Sequence, residues 1–448
     1  MEVKRKVPYG AISYGKIVDE CYFVDHTRFI RELEPIVTPV FLRPKRFGKS
    51  YICTMLAYYY DLNCKADFDH YFGNTDIGKE PTPLANSFLV LKFDFSVITV
   101  GTISAIERDF TKHVFEQVHQ FTDHYRDLIN DRGEKVAWPD LTTCATAAAM
   151  INAIRDVIKR NKLPPLYVIV DEYDNFTNEL LVSNREMDYD AVCGHDNVGV
   201  NRESFFKSFF KSFKAGLSDE TVARTYFTGV LPITLDDLSS GFNVGTVASL
   251  DSNLLDMAGF TQAEVERYAD EIMSDQGLPV EWRPRVLSDL KAFYDGYHMT
   301  PDHCGGIYNS TITNWYLQRM TVNRKIPVDV IDSNVRTDIA WFRKLAGSEE
   351  FARERIRAYV ERGEGETASQ SALSAKFGRA KFFSKEFFPY ALYYLARAIF
   401  QRGPSRTPRR SRRRSVMHRR FRSAPAGSIR SNASSSRSTL TTAISGSR

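Results

Sequence analysis

The first 230 residues contain four apolar segments with the patterns of β-strands. Residues 36–42 and 166–170 are short, largely apolar runs, which is typical of strands buried on both faces of a sheet. Residues 89–96 alternate apolar and polar side chains with period two, and residues 222–228 form a fourth segment that ends at Gly229. Helical patterns separate these segments, so we expect an α/β domain with a mostly parallel sheet.

Apolar residues at helical spacing predict helices over 103–130 and 143–161, and another directly after residue 50. That third helix has an apolar face made of Ile52, Met55, Leu56 and Tyr59. An aromatic stripe predicts a further helix, and we interpret the stripe as core rather than as a ligand-binding surface. It consists of Phe205, Phe206, Phe209, Phe210 and Phe213. Residues 183–200 are rich in Asn, Asp and Gly, and they predict a loop.

After residue 250 the pattern becomes mainly helical. Thr261-Gln262-Ala263-Glu264 is a capping box, which predicts the start of a helix. More helices are predicted over 311–320, 335–361 and 384–400. We therefore expect four parts along the chain. They are an N-terminal lead-in (1–35), an α/β domain (36–250), a helical domain (251–400) and a tail (401–448).

The tail differs from the rest of the chain in charge and composition. Its 48 residues hold 13 of the 60 basic residues, all of them Arg, and none of the 55 acidic residues. The body therefore has 47 basic against 55 acidic residues, a net charge of −8, which does not favour a nucleic-acid-binding body. With few large apolar residues, the tail should be disordered. Three interpretations of the tail remain open: a segment that binds nucleic-acid phosphates, a phosphorylatable linker, or the product of a shifted reading frame.

The cysteines and the chain's hydrophobicity bear on its location. Six cysteines lie far apart and form no Cys-x-x-Cys pair, which fits reduced thiols better than a disulfide framework. The N-terminus lacks the apolar core of a signal peptide, and no apolar stretch approaches the roughly 20 residues that span a bilayer. We expect a soluble cytoplasmic or nuclear protein without a membrane partner.

The strongest chemical signal is Gly48-Lys49-Ser50, between the first predicted strand and the helix that follows it. In a phosphate-binding P-loop, the Lys reaches the β- and γ-phosphates and the Ser hydroxyl binds Mg²⁺. The full pattern has Gly five residues before Gly48, where this chain has Arg43. From these residues alone, a nucleotide site and a solvated basic loop both remain open. Arg43, Lys45 and Arg46 either neutralise phosphate charge or face solvent.

Two carboxylates, Asp171 and Glu172, follow the buried strand 166–170. At the end of a parallel strand, Asp171 would hold Mg²⁺ and Glu172 would act as general base on the attacking water. The alternative is that the pair ends a strand and caps the next helix. Thr228 ends the fourth strand and is either a polar sensor of the γ-phosphate or a hydroxyl in a turn.

Two clusters contain metal-ligand residue types but lack the paired spacing of a structural zinc site. They are Cys193-Gly194-His195 and the group of His298, His303 and Cys304. We interpret both as scattered residues without a metal-binding role.

Seven stretches, taken in order, resemble the motifs of AAA-ATPase-like proteins whose ATPase domain is often followed by a PD-(D/E)xK-type nuclease domain. The stretches are Phe23-Val24-Asp25-His26-Thr27, Leu42-Arg43-Pro44-Lys45-Arg46-Phe47-Gly48-Lys49-Ser50, Val170-Asp171-Glu172-Tyr173-Asp174, Phe227-Thr228-Gly229-Val230, Gly259-Phe260-Thr261 with Glu264-Val265, Tyr294-Asp295-Gly296-Tyr297 and Ile307-Tyr308-Asn309. In this family Arg stands at the position of the first Gly of the loop. No nuclease motif is recognisable after residue 400.

The resemblance implies an AAA-like P-loop ATPase core that binds ATP and Mg²⁺. Gly48, Lys49, Ser50 and Asp171 would hold them, and Glu172 would be catalytic. Arg46, Phe47, Tyr51 and Thr228 complete the expected nucleotide contacts. ATP hydrolysis would drive a conformational change or assembly, and the family suggests a homo-oligomer. The alternatives are an ATPase coupled to nucleic-acid processing, a nucleotide-binding switch without turnover, and a degenerate truncated copy. The sequence does not identify an arginine finger.

Overall fold

The computed structural model describes residues 5–193, 204–234, 244–295 and 305–330, together with isolated positions in 297–303 and 350–388. These residues belong to one compact unit that ends at residue 401. The tail lies outside the described residues, as do most of the predicted helices at 335–361 and 384–400. The division of the chain into four parts stays a prediction.

A five-stranded sheet lies at the centre of the fold. Its strands are β1 (Pro39–Leu42), β2 (Leu89–Asp94), β3 (Leu166–Asp171), β4 (Val222–Gly229) and β5 (Thr246–Val247). Their order is β2-β3-β4-β1-β5, and every pair is parallel, as the sequence predicts. The sequence patterns missed β5 because two residues are too few to show a period.

Helices connect the strands and continue after them. The α-helices are α1 (Tyr14–Glu20), α2 (Phe29–Leu33), α3 (Lys49–Tyr60), α4 (Phe68–Phe72), α5 (Asp76–Lys79), α6 (Ile103–His124), α7 (Ala147–Asn161), α8 (Asn175–Val182), α9 (Glu186–Cys193), α10 (Phe205–Ser218), α11 (Gln262–Asp275), α12 (Arg283–Tyr294) and α13 (Ser310–Asn323). Short 3₁₀ helices cover Leu62–Asp67, Phe95–Val97, Leu141–Thr143 and Val280–Trp282.

Helices cover both faces of the sheet, which explains the continuous apolar runs of its inner strands. One core contains Val168 and Val170 of β3 with residues of α6, α7, α8 and α10. The other contains Tyr167 and Ile169 of the same strand with the apolar face of α3. Most of the phenylalanine stripe on α10 is fully buried in the first core, so its interpretation as core is confirmed.

The predicted loop at 183–200 is wrong for its first half, because α9 spans Glu186–Cys193. Tyr189, Val192 and Cys193 are fully buried in the first core. Their burial stabilises a helix that the surrounding polar residues do not favour by propensity. Residues 194–200 lie outside the described part of the chain.

A third core joins α11, α12 and α13 to the N-terminal lead-in. The predicted capping box is confirmed at the start of α11. The Thr261 hydroxyl accepts a hydrogen bond from the backbone N–H of Glu264, and the Glu264 carboxylate accepts one from the N–H of Thr261. This region therefore packs against the lead-in through its own apolar cluster.

Candidate functional site

The loop between β1 and α3 curls around the N-terminus of α3. Gly48 is the N-cap residue and has φ +85°, a left-handed conformation that suits glycine. Arg46 is also left-handed, with φ +72°. Lys49 is the first residue of the helix, where backbone N–H groups have no partner within the helix. These donors and the helix dipole favour an anion at the loop.

The end of β3 meets the first turn of α3 at the same edge of the sheet. β4 lies between β1 and β3, and all three strands are parallel, so their carboxyl ends come together. The Ser50 side chain is close to the Asp171 carboxyl there and lowers its pKa. Asp171 is 1% exposed, and burial raises the pKa of its carboxyl to about 6, although the Ser50 contact opposes the rise.

Lys49 contacts the second carboxylate of the pair. Its Nζ lies 3.3 Å from Oε1 of Glu172 and 3.4 Å from the carbonyl oxygen of Pro44. The lysine side chain is 3% exposed and the glutamate side chain 20% exposed. The ammonium group therefore lies between the loop and the carboxylate that follows β3.

A cavity of about 340 Å³ opens over this loop. Its walls include Arg46 to Tyr51, the six consecutive residues that we expect to contact nucleotide, and also Glu172. Asp171 and Thr228 are not part of the wall. Apart from Ile52 of α3, the remaining lining residues come from the lead-in and from the region after residue 250. They are Pro8, Gly10, Ala11, Ile12, Ile17, Phe23, Val24, His26, Ile52, Met257, Ala258, Gly259, Phe260, Tyr268, Ser310, Thr311 and Asn314.

Thr228 lies inside the sheet, away from this cavity. The residue is fully buried, and its hydroxyl donates a 2.8 Å hydrogen bond to the carbonyl oxygen of Phe41 on β1. Its role as a γ-phosphate sensor stays a prediction that this geometry does not favour.

Arg43 fits neither of its two predicted roles, because its side chain is fully buried. The guanidinium donates hydrogen bonds to the carbonyl oxygens of Ser249 (2.8 Å) and Leu255 (3.1 Å). It also lies 4.3 Å from the ring centroid of Phe41. Arg43 therefore ties the start of the loop to the segment after β5, where the sequence indicated only a phosphate contact or a surface charge.

Residues far along the chain contact the loop directly. The backbone N–H of Gly259 donates a 3.1 Å hydrogen bond to the carbonyl oxygen of Phe47. Gly259 has φ +90°, and a Cβ there would lie 2.3 Å from Ile307 and 2.8 Å from the Tyr308 carbonyl oxygen. The hydroxyl of Thr311, at the start of α13, donates a 2.8 Å hydrogen bond to the carbonyl oxygen of Arg46. Apart from the quoted Gly259 motif, the sequence carries no local signal for these contacts.

The wall opposite the loop is polar as well as aromatic. His26 is 4% exposed, and its Nε2 lies 3.5 Å from Oε1 of Glu264. Burial raises the pKa of Glu264, but the contact with His26 and the hydrogen bonding with Thr261 outweigh burial and lower that pKa to about 2. The Tyr268 hydroxyl donates a 3.0 Å hydrogen bond to Oδ1 of Asn314, which joins α11 to α13.

The donor set at Ser50 and Asp171 fits Mg²⁺. This ion prefers oxygen ligands and usually keeps several waters, so that one or two protein oxygens and the substrate's phosphates complete its coordination. In the described part of the chain no group of three His, Cys, Asp or Glu residues could hold a metal ion. Ser50 and Asp171 would therefore hold magnesium together with a bound phosphate, rather than as a closed protein site.

The two clusters set aside in the sequence are only partly within the described residues. Cys193 is buried at the end of α9, and Nε2 of His303 lies 2.8 Å from Oδ1 of Asp256. Gly194, His195, His298 and Cys304 lie outside the described residues. No described helix is both long enough and apolar enough to cross a membrane.

The parallel sheet with helices on both faces and the loop at the N-terminus of α3 define an AAA-like α/β protein. Comparison with known families agrees, because the sequence model of the Predicted AAA-ATPase family matches residues 8–239. The chain belongs to this family. No curated protein and no solved structure matches the chain. The cavity residues between 257 and 314 lie beyond the matched segment.

Proposed function

We propose that the protein binds ATP in the cavity over the loop and hydrolyses it with Mg²⁺, and that this cycle drives a conformational change or assembly. One observation carries the proposal. The Lys49 ammonium at the helix N-terminus lies 3.3 Å from the Glu172 carboxylate, and the adjacent residues Ser50 and Asp171 also interact with each other. Phosphoryl transfer needs a cation that contacts the phosphates, a hydroxyl and a carboxylate that hold the metal ion, and a base for the attacking water.

In this proposal, the loop and the α3 N-terminus bind the phosphates through backbone N–H groups. Lys49 neutralises charge on the β- and γ-phosphates. Ser50 and Asp171 would hold Mg²⁺, which supplies positive charge at the phosphate oxygens when bound. Glu172 accepts a proton from the attacking water as the new bond to the γ-phosphorus forms and the bond to the β-phosphate oxygen breaks. ADP and phosphate then leave.

The walls of the cavity support the conformational part of the proposal. They come from the lead-in, from the α/β sheet region and from the region after residue 250. A nucleotide that contacts all three would favour the arrangement in which they are close together, because binding stabilises the state with the better contacts. Hydrolysis would remove part of that preference.

The test is ATP binding and phosphate release by the full chain, with Lys49→Ala and Glu172→Gln beside wild type. Lys112→Ala and Glu179→Gln remove the same charges at exposed positions and serve as matched controls. We expect Lys49→Ala to lose binding, and Glu172→Gln to bind ATP with turnover lowered on the order of 10²–10⁴-fold. Absence of ATP binding by folded wild type would refute the proposal.

The same experiment separates the remaining alternatives. Binding without turnover in wild type would indicate a nucleotide-dependent switch. Turnover that rises when single- or double-stranded nucleic acid is added at low salt would indicate an ATPase coupled to nucleic-acid processing. Turnover that nucleic acid leaves unchanged would exclude that coupling.

A further inference from the structure

The turn after β3 holds the proposed base in an unfavourable backbone conformation. Glu172 has φ +51°, in the left-handed region that is unfavourable for a residue with a side chain. Such a conformation persists only where surrounding contacts enforce it. The contacts that do so come from the next two residues of the turn.

Tyr173 ties the turn to the end of β4. Its backbone N–H donates a 3.1 Å hydrogen bond to the carbonyl oxygen of Thr228. Its side chain is fully buried, and its hydroxyl donates a hydrogen bond to the carbonyl oxygen of Leu231. One residue of the turn is therefore attached to β4 through both its backbone and its side chain.

Asp174 adds a second attachment to the same place. Its side chain is fully buried and accepts hydrogen bonds from the backbone N–H groups of Val230 (3.1 and 3.2 Å) and Leu231 (2.6 Å). The amide of Asn178 donates a third, at 2.7 Å. Burial raises the pKa of this carboxyl to about 6, so its charge is costly and the N–H donors offset that cost.

Gly229 leaves the space that this carboxylate occupies. A Cβ at Gly229 would lie 2.4 Å from Oδ1 of Asp174 and 2.6 Å from the ring of Tyr173. The end of β4 thus has a small residue where the turn approaches, followed by two N–H groups that bind the carboxylate.

We propose that Asp174 is a positioning residue that fastens the Glu172 turn to β4 and so keeps the Glu172 carboxylate beside Lys49. This inference rests on the proposed function, in which Glu172 is the base. Asp174 is not among the residues that line the described cavity, so it acts through Glu172 rather than on the nucleotide.

The proposal predicts that losing the Asp174 attachment lowers the turnover of ATP but leaves ATP binding nearly unchanged. Losing the attachment frees the turn and displaces the base, whereas the loop, Lys49 and Ser50 keep their contacts with phosphate. If the carboxylate only stabilised the fold, its loss would lower ATP binding, turnover and melting temperature together. The ratio of kcat to ATP affinity therefore distinguishes positioning from general stability.

The first experiment compares Asp174→Asn with wild type in the full chain. The variant keeps the side chain's size but removes its charge, and it leaves one acceptor oxygen where the carboxylate offers two to Val230, Leu231 and Asn178. We expect kcat to fall about ten- to a hundredfold with the ATP dissociation constant changed less than about threefold. Glu179→Gln, which removes an exposed charge from α8, the helix that Asp174 precedes, should change neither quantity. A folded Asp174→Asn variant with kcat within about twofold of wild type would overturn the proposal.

A second variant covers the case in which Asp174→Asn does not fold. Gly229→Ala leaves the carboxylate charged and pushes it from the N–H groups, because the added methyl meets it at 2.4 Å. It should show the same fall in kcat with binding retained. A folded Gly229→Ala variant with unchanged turnover would contradict the proposal as clearly.

Hydrogen exchange at the Tyr173 amide supplies a readout that needs no activity, since that N–H is bound to Thr228. Both variants should speed its exchange about tenfold or more, while Glu179→Gln should not. If wild type releases no phosphate, the proposed function fails but the exchange result still decides whether Asp174 holds the turn. Unchanged exchange in both variants would refute the positioning role by itself.

Discussion

The Thr311 hydroxyl donates a 2.8 Å hydrogen bond to the carbonyl oxygen of Arg46, a residue 265 positions earlier in the chain. The backbone N–H of Thr311 points to the same oxygen at 3.4 Å. Arg46 has φ +72°, so this contact holds a strained position of the loop. The start of α13 therefore braces the loop that curls around the N-terminus of α3.

Thr311→Val removes the hydroxyl and keeps the shape of the side chain. We expect ATP affinity to fall about three- to tenfold, which corresponds to the net value of one hydrogen bond, about 1 kcal/mol. Thr311→Ser keeps the hydroxyl and should retain most of the affinity. Titration with ATP measures both variants, and equal affinity of Thr311→Val and wild type would show that the brace does not affect the loop.

Asp171→Asn should raise the free energy of unfolding of the nucleotide-free protein and should abolish Mg²⁺-dependent turnover. The pKa of Asp171 is raised from 3.8 to about 6, so between these values the folded state binds more protons than the unfolded state. The free energy of unfolding therefore falls as pH rises through this window, and the charged carboxylate is destabilising above it. At pH 8 we expect the neutral amide to raise the free energy of unfolding by on the order of 1–3 kcal/mol.

Denaturant unfolding of Asp171→Asn at pH 8 measures this effect, with exposed Asp156→Asn as the control. The gain should shrink toward pH 4, where the wild-type carboxyl is protonated. A variant that is less stable than wild type at pH 8 would mean that the Ser50 contact outweighs the cost of burial.

His124 should make the free energy of unfolding depend on pH above 6.5, a higher range than that of Asp171. Its Nε2 lies 2.7 Å from Oδ2 of Asp61, and this hydrogen bond raises the pKa of His124 above 6.5 although partial burial opposes the rise. The contribution is complete below the unfolded pKa of 6.5 and is lost as pH rises through the folded value. His124 is half exposed, so solvent screening limits the effect to a few tenths to about 1 kcal/mol.

The measurement is the difference in free energy of unfolding between wild type and His124→Gln, taken at pH 6 and at pH 8.5. The difference should be larger at pH 6. His119→Gln, at a more exposed histidine on the same helix whose Nδ1 lies 3.3 Å from Oδ2 of Asp123, should show a smaller difference. An equal difference at both pH values would show that the charged form gains nothing from Asp61.

Arg43→Met should destabilise the fold more than it weakens ATP binding. The substitution leaves the carbonyl oxygens of Ser249 and Leu255 buried without their donor. We expect a loss of about 2–4 kcal/mol in the free energy of unfolding, since each unsatisfied buried group costs about 1–3 kcal/mol. Denaturant unfolding measures it beside Arg108→Met, at an exposed position. Wild-type stability together with lost ATP binding would instead indicate that Arg43 neutralises phosphate charge.

Local patterns in the sequence determined much of this protein. Two buried runs, one alternating run and the segment that ends at Gly229 predicted four strands of the sheet, since side chains alternate between faces within a few residues. The capping box at Thr261 and the Gly48-Lys49-Ser50 loop depend on neighbouring residues alone. The order of these signals along the chain was enough to predict Asp171 and Glu172 at the same sheet edge as the loop.

Only the tertiary structure decided the contacts between distant segments. Arg43 is buried because Ser249 and Leu255 accept its hydrogen bonds, and Thr228 faces β1 because of the register of two strands. The α9 helix forms where its apolar residues reach the core, against the polar character of its neighbours. The loop gains Gly259 and Thr311 from segments more than 200 residues away. These contacts depend on how elements pack, which short-range periodicity does not encode.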